Sequence, residues 1–283
     1  MKIKLCLFSS TPDIEKLNFL VKVLTGTPLE LAQRAIAWGY DGFEFMPDPE
    51  NVTDPGEIER ALKATGAMMP VVNSGRIAAQ GMALLHADKV LRARAIKAFK
   101  RMLDLAACFQ ARVGLGMSRG AGIPGASRQE MDILADDVFR ELTEHATKVG
   151  AVIMLEPADP GVTAYINTMD EAVAWVDRIN NPHFGVMLDT YQLADAEPSI
   201  EHGIRAARGL ANHIHLYDPS RWPPGVRDGT QRLDWKNIGR VLQEEKFSGT
   251  GSVVLAPEGD PEPAARAAVR FLRSLLSKDG VHS

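Results

Sequence analysis

Eight times along this chain a short apolar run is followed by a turn signal and then by an amphipathic stretch. A strand feeding a helix that returns to a neighbouring strand builds a parallel sheet, which must be covered on both faces. The runs predict strands at Ile3 to Phe8, Gly42 to Met46, Met68 to Asn73, Arg112 to Met117, Val152 to Pro157, Gly185 to Thr190, Asn212 to Tyr217 and Ser252 to Pro257. Between them the pattern predicts helices at Pro28 to Trp38, Pro55 to Thr65, Asp88 to Phe109, Arg128 to Val149, Thr168 to Asn180, Ser199 to Arg208, Asp234 to Glu245 and Pro261 to Ser277. Thr27 before Pro28, Asp54 before Pro55, and Ser127 with Glu130 three residues on are good helix starts. No linker, repeat or low-complexity segment interrupts the series. The expected fold class is therefore α/β, a single (β/α)8 TIM barrel over residues 1–283, in preference to a doubly wound sheet.

Composition narrows the function. A hydrophobic fraction of 45% over 283 residues supports a sizeable core, and a formal charge of −4 without a long basic run argues against a nucleic-acid or membrane surface. The expected partner is a small molecule. Two cysteines, Cys6 and Cys108, cannot build a disulfide framework, and MKIKLCLFSS holds too short an apolar run for a signal peptide. A cytoplasmic location is the expectation. The outer helices leave room for a homo-oligomer without forcing one.

A barrel strand sends alternate residues out to the helices and into the barrel. In the fifth strand Ile153 and Leu155 take the outward positions, leaving Met154 and Glu156 inward; in the sixth Val186 and Leu188 face out, leaving Met187 and Asp189. In the seventh Ile214 and Leu216 leave His213 and His215 inward, and in the eighth Val253 and Leu255 leave Ala256 and Glu258. Glu156, Asp189, His215 and Glu258 thus share one face at the C-terminal ends of their strands, where barrel enzymes carry their sites. Carboxylates with one imidazole suit a divalent metal, Mn²⁺ first and Mg²⁺, Co²⁺ or Fe²⁺ after it, better than a structural zinc.

These residues resemble the xylose isomerase-like superfamily of sugar phosphate isomerases and epimerases, including the ketose 3-epimerases, over nearly the whole length. The resemblance rests on GYDGFEFM (Gly39 to Met46), LEP (Leu155 to Pro157), LDT (Leu188 to Thr190), HIH followed by Arg221 and Pro224-Gly225, and LDW (Leu233 to Trp235). It implies a metal held by Glu, Asp, His and Glu from the fifth to eighth strands, the first three here being Glu156, Asp189 and His215. It further implies that the two glutamates exchange a proton with a substrate carbon and that Arg221 holds substrate oxygens. Two positions depart from the family. Aligned on its proline, the eighth strand has Ala256 at the family's glutamate, with Glu258 two residues later and about 7 Å further along the strand. Gln192 stands where the family often has histidine, and an amide cannot carry a proton.

The expected activity is an isomerase or epimerase of a sugar or related α-hydroxy carbonyl compound, through carboxylate proton transfer and a metal-stabilised enediolate. Glu156 is the expected ligand and base; Glu258 is a ligand, a second acid or a solvated bystander. Substrate contacts are expected from Arg221, Glu44, Asn73, Gln192, Trp222 and His213. Against these stand plainer roles: a polar network capping the barrel for the ligands, a packed core histidine for His213, a turn cap for Asn73, and ordinary lid packing for Arg221 and Trp222. SRGAGIPGAS (residues 118–127) lacks a phosphate-loop pattern and reads as a mobile active-site loop. Two rival functions remain: a metal-dependent lyase or dehydratase sharing the same α-proton abstraction, and a non-catalytic sugar-binding barrel.

Overall fold

A computed structural model describes residues 3–17, 23–51, 53–226, 230–255 and 260–276. Its strands are β1 (Lys4–Ser10), β2 (Leu24–Thr25), β3 (Gly42–Met46), β4 (Val71–Asn73), β5 (Arg112–Leu115), β6 (Val152–Leu155), β7 (Phe184–Val186), β8 (Leu188–Asp189), β9 (His213–Leu216) and β10 (Thr250–Val253). Every pairing is parallel, in the order β7-β6-β5-β4-β3-β1-β10-β9-β8, with β2 added beside β1. The two ends of that order, β7 and β8, belong to one run interrupted only at Met187. The sheet therefore closes into a TIM barrel, and β7 with β8 are the single sixth strand that the sequence predicts.

The helices are α1 (Pro28–Trp38), α2 (Pro55–Thr65), α3 (Arg76–Ala79), α4 (Lys89–Ala107), α5 (Arg128–Val149), α6 (Met169–Ile179), α7 (Thr190–Ala196), α8 (Ile200–Ala206), α9 (Trp235–Glu244) and α10 (Glu262–Leu276). Their starts follow the predicted chemistry. Thr27 and Ser127 make reciprocal capping boxes with Glu30 and Glu130, and Asp54 accepts the Gly56 N–H ahead of α2. Four short helical pieces among the described residues escape periodicity: 3₁₀ turns at Pro12–Lys16 and Met117–Arg119, α3, and α7. The third strand begins at Val71 instead of Met68, because Pro70 has no N–H to give a ladder. Met68 keeps one bridge, to Gly42, whose missing Cβ would stand 1.9 Å from the Met68 carbonyl oxygen.

Side-chain parity holds. Phe43, Phe45, Ile153, Leu155, Val186, Leu188, Ile214, Leu216, Val253 and Leu255 all join the main apolar core, between strands and helices. The barrel interior is separate and divided. Val71, Met154 and Met187 fill one part with apolar atoms, while Glu44, His213, Thr250 and Ser252 are buried in the other.

Candidate metal and active site

A cavity of about 210 Å³ opens at the C-terminal ends of the strands. Glu156, Asp189 and His215 meet in its floor, Glu156 just beyond the end of β6, Asp189 as the last residue of β8 and His215 as the next to last of β9. Asp189 ends β8 and caps α7: its Oδ1 accepts the N–H groups of Tyr191 at 2.7 Å and Gln192 at 3.2 Å. That leaves Oδ2 toward His215 Nδ1 at 3.2 Å, and Glu156 Oε1 lies 3.6 Å from the same nitrogen. Gly116 makes room for the glutamate, since a Cβ there would lie 2.0 Å from Glu156 Oε2. One donor atom from each of the three residues falls within 4.8 Å of the other two.

Behind His215 lies a second polar layer. Its Nε2 is 3.1 Å from both oxygens of Glu44, whose carboxylate also takes the Asn73 amide N–H at 2.8 Å and lies 3.1 Å from His213 Nε2. His213 Nδ1 reaches Thr250 Oγ1 at 2.6 Å. Glu44 and His213 are fully sealed. This second group of acid and imidazoles also lies close enough together to suggest a metal, yet its nitrogens stand at hydrogen-bond distance from one carboxylate, so it is a network that orients rings.

The charges follow from this packing. Burial pushes the Glu156 carboxyl up to about 7, His215 pulling down against it and Asp189 adding to the rise. Burial would neutralise His215, but the Glu44 charge and hydrogen bonds to three carboxylates outweigh it, so its imidazolium persists well above the usual histidine range. Burial would likewise raise Glu44; the His215 charge and bonds from both histidines hold it well below the carboxylate range. His213, for which burial dominates, is shifted toward neutral. Two oxygen donors, one imidazole with its far nitrogen tied to a carboxylate, and a glycine cradle fit a divalent metal, which Glu156, Asp189 and His215 would hold.

The expected substrate residues sort into three groups. Arg221, Gln192 and Asn73 line the cavity. Asn73 is also a turn cap, its Oδ1 accepting the Gly75 N–H at 2.8 Å, and Gln192 Oε1 accepts the Asp159 N–H at 2.8 Å. Glu44 and His213 face inward but are buried one layer below the mouth and are absent from the cavity lining, His213 in the packed core position weighed against substrate contact. Trp222 is half-buried and outside the cavity wall, since the left-handed turn at Arg221, φ 67°, carries the chain away. Glu258, with Ala256, lies outside the described residues.

The start of the glycine-rich run is also firmer than a mobile loop. Arg119 is buried and donates to the carbonyls of Tyr165, Gly116, Glu156 and Ile166, tying the loops after β5 and β6 together. Burial pulls its guanidinium down to about 10. Cavity residues not foreseen include Phe8, packed edge-on to His215 with centroids 5.5 Å apart, and Tyr217, stacked on Tyr191 at 5.3 Å. Tyr217 was within reach of the sequence, being two residues after His215 and so on the same face. Burial pushes its phenol up to about 12, against the pull of the Arg221 charge.

Comparison with known proteins agrees with this geometry. The family model described as xylose isomerase-like TIM barrel matches residues 32–275, and the chain belongs to that family. It is 25% identical over 250 residues to 3-dehydro-D-guloside 4-epimerase of Escherichia coli K12, covering 83% of this chain and 90% of that enzyme. It is 31% identical over 111 residues to D-psicose 3-epimerase of Enterocloster bolteae, a match spanning 39% of this chain and only 36% of that enzyme's length. The crystal structure of 3-keto-D-glucoside 4-epimerase from E. coli superposes with a TM-score of 0.78 at 20% identity, over 96% of this chain and 100% of the other. The relatives named are sugar epimerases, and the likeness to the solved structure is one of fold. Among the described residues no helix is long and apolar enough to cross a membrane.

Proposed function

We propose that this protein is a divalent-metal-dependent epimerase of keto sugars, acting as one domain over residues 1–283. The observation that carries the reading is the convergence of Glu156, Asp189 and His215 in the cavity floor, with their donor atoms within 4.8 Å of one another. These three residues hold the ion, for which Mn²⁺ is the first candidate on the donor chemistry. When bound, it supplies Lewis acidity to the carbonyl and adjacent hydroxyl of the substrate, which acidifies the neighbouring C–H.

The chain's own residues do the rest. Glu156, buried in the cavity floor beside the reacting centre, takes the carbon-bound proton. Arg221 and Gln192, in the cavity wall, hold substrate oxygens, with Tyr217 closing the same side. Glu44 accepts from His215 Nε2 and so keeps Nδ1 turned toward Glu156 and Asp189. Glu258 returns a proton to the opposite face in this reading, assigned on strand parity alone. Free Cys6 and Cys108 fit a cytoplasmic setting.

The test is solvent exchange. Manganese-loaded protein is incubated in D₂O with a panel of ketohexoses and 3-keto-glucosides. Deuterium appearing at the carbon beside the carbonyl, together with the epimer, supports the reading. Release of water or of a leaving group, without epimer, would convert the assignment to a lyase. Neither exchange nor elimination with any member, in protein that holds metal, would favour the sugar-binding alternative.

A further inference from the structure

Beside the cavity lies a second chamber of about 290 Å³, between α3 and the loops that follow β5 and β6. Gly116, Met117 and Val162 belong to the walls of both spaces. We propose that this chamber is a subsite for an apolar substituent on the sugar, so that the natural substrate is a keto sugar carrying an alkyl or aryl aglycone instead of a free monosaccharide. This rests on the epimerase reading above for the anchoring of the sugar ring.

Polarity decides what the chamber accepts. Its walls carry the side chains of Ala78, Met82, Ala83, Ala121, Ala158 and Val162. The two polar side chains there are already committed. Arg119 gives Nε to the Tyr165 carbonyl, Nη1 to those of Gly116 and Glu156, and Nη2 to that of Ile166, at 2.6 to 3.1 Å. Thr163 Oγ1 donates to the Gly120 carbonyl at 3.0 Å and accepts the Tyr165 N–H at 3.2 Å. A sugar hydroxyl entering here would surrender water for little side-chain hydrogen bonding, since four of the five Arg119 N–H groups are spent on the loops, whereas methylene or ring carbons gain by leaving water. The same Arg119 bonds fix the two loops, and the Ala164 N–H adds a bond to the Ala121 carbonyl at 3.0 Å. The chamber is therefore preformed, and an aglycone need not spend binding energy on ordering it.

The experiment compares methyl and phenyl 3-keto-β-D-glucosides as probes of manganese-loaded protein, by calorimetry for affinity and by D₂O exchange for turnover. The phenyl probe should bind at least about tenfold more tightly, the gain expected for burying an aromatic ring. Ala121→Phe, at an exposed position on the chamber wall, and Ala78→Phe should each bring the phenyl-to-methyl ratio toward one. Equal affinities in the wild type, or a ratio unmoved by both substitutions, would overturn the subsite. The two claims separate cleanly: exchange without a phenyl advantage removes the subsite and keeps the epimerase, and a phenyl advantage lost on filling, without exchange of any sugar in the panel above, does the reverse. Binding of neither probe overturns the subsite and leaves the epimerase reading to the ketohexoses of that panel.

Discussion

The two faces of the barrel wall are built on different rules. Outside, Ile153, Leu155, Val186, Leu188, Ile214 and Leu216 meet the helices through apolar contacts that any side chain of similar volume partly replaces. Inside, on the same strands or just past their ends, Glu156, Asp189 and His215 are held by named atoms: the Tyr191 and Gln192 amides for Asp189, Glu44 for His215, the absent Cβ of Gly116 for Glu156. The outer face tolerates approximation because dispersion and burial are non-directional. The inner face does not, because a buried charge is stable only while each partner stays in place.

Substitutions on the two faces should therefore fail differently. The largest effect is expected from His215→Ala, which removes the imidazole that all three carboxylates face; bound manganese should fall below detection by elemental analysis, with turnover lost as well. Gly116→Ala should follow. Its new Cβ displaces the Glu156 carboxylate, and a misplacement of about 1 Å costs on the order of 10²-fold in rate. Steady-state kinetics on correctly folded protein would check this.

Glu44→Gln tests the layer below the mouth. An amide cannot accept from both histidines and Asn73 at once, so metal affinity should weaken by roughly 10- to 100-fold, read by calorimetry. Turnover at saturating metal should recover in part, an outcome that an unfolded variant would not give.

The pH dependence has a fixed sign. Glu156 must lose its proton to take metal, and in the metal-free protein its carboxyl lies near 7. His215 must shed its imidazolium proton as well, and that proton persists well above the usual histidine range, so affinity should rise steeply as pH climbs toward 7 and go on rising above it. The same raised carboxyl makes its contribution to metal-free stability fully present below its ordinary value of 4.5 and lost as pH rises through about 7. Ile153→Val, on the outer face, should be the mildest, costing about 0.5–1.5 kcal/mol in denaturant unfolding while leaving manganese affinity within about twofold. A large loss of metal in this variant would erase the contrast between the faces.

The same division explains what could be read from the sequence. Helix starts were legible because caps are local: Thr27 to Glu30 and Ser127 to Glu130 are four-residue events. Inward parity was legible because the strand repeat is two, and it brought Glu156, Asp189 and His215 to one place. Depth was legible within a strand, where His213 lies one layer below His215, but not between strands. Glu44 shares the inward face from another strand and sits below the cavity, and no period tells how far along that strand the floor lies. Nor were the clamps visible: Arg119 and Arg76 are both buried, with Arg76 bonded to Thr11 at 2.6 Å and to Asp48 at 2.9 Å. Those partners come from loops after other strands, so only the closed barrel brings them together. The short helices α3 and α7 hold too few turns for a period to register.

The most direct test of the central claim is a manganese titration of metal-stripped wild type and Asp189→Asn by calorimetry. One ion per chain is expected in the wild type and loss of that binding in the variant, since Asp189 Oδ2 faces the shared position and its other oxygen is committed to α7. Undiminished binding in Asp189→Asn, or none in the wild type, would contradict it.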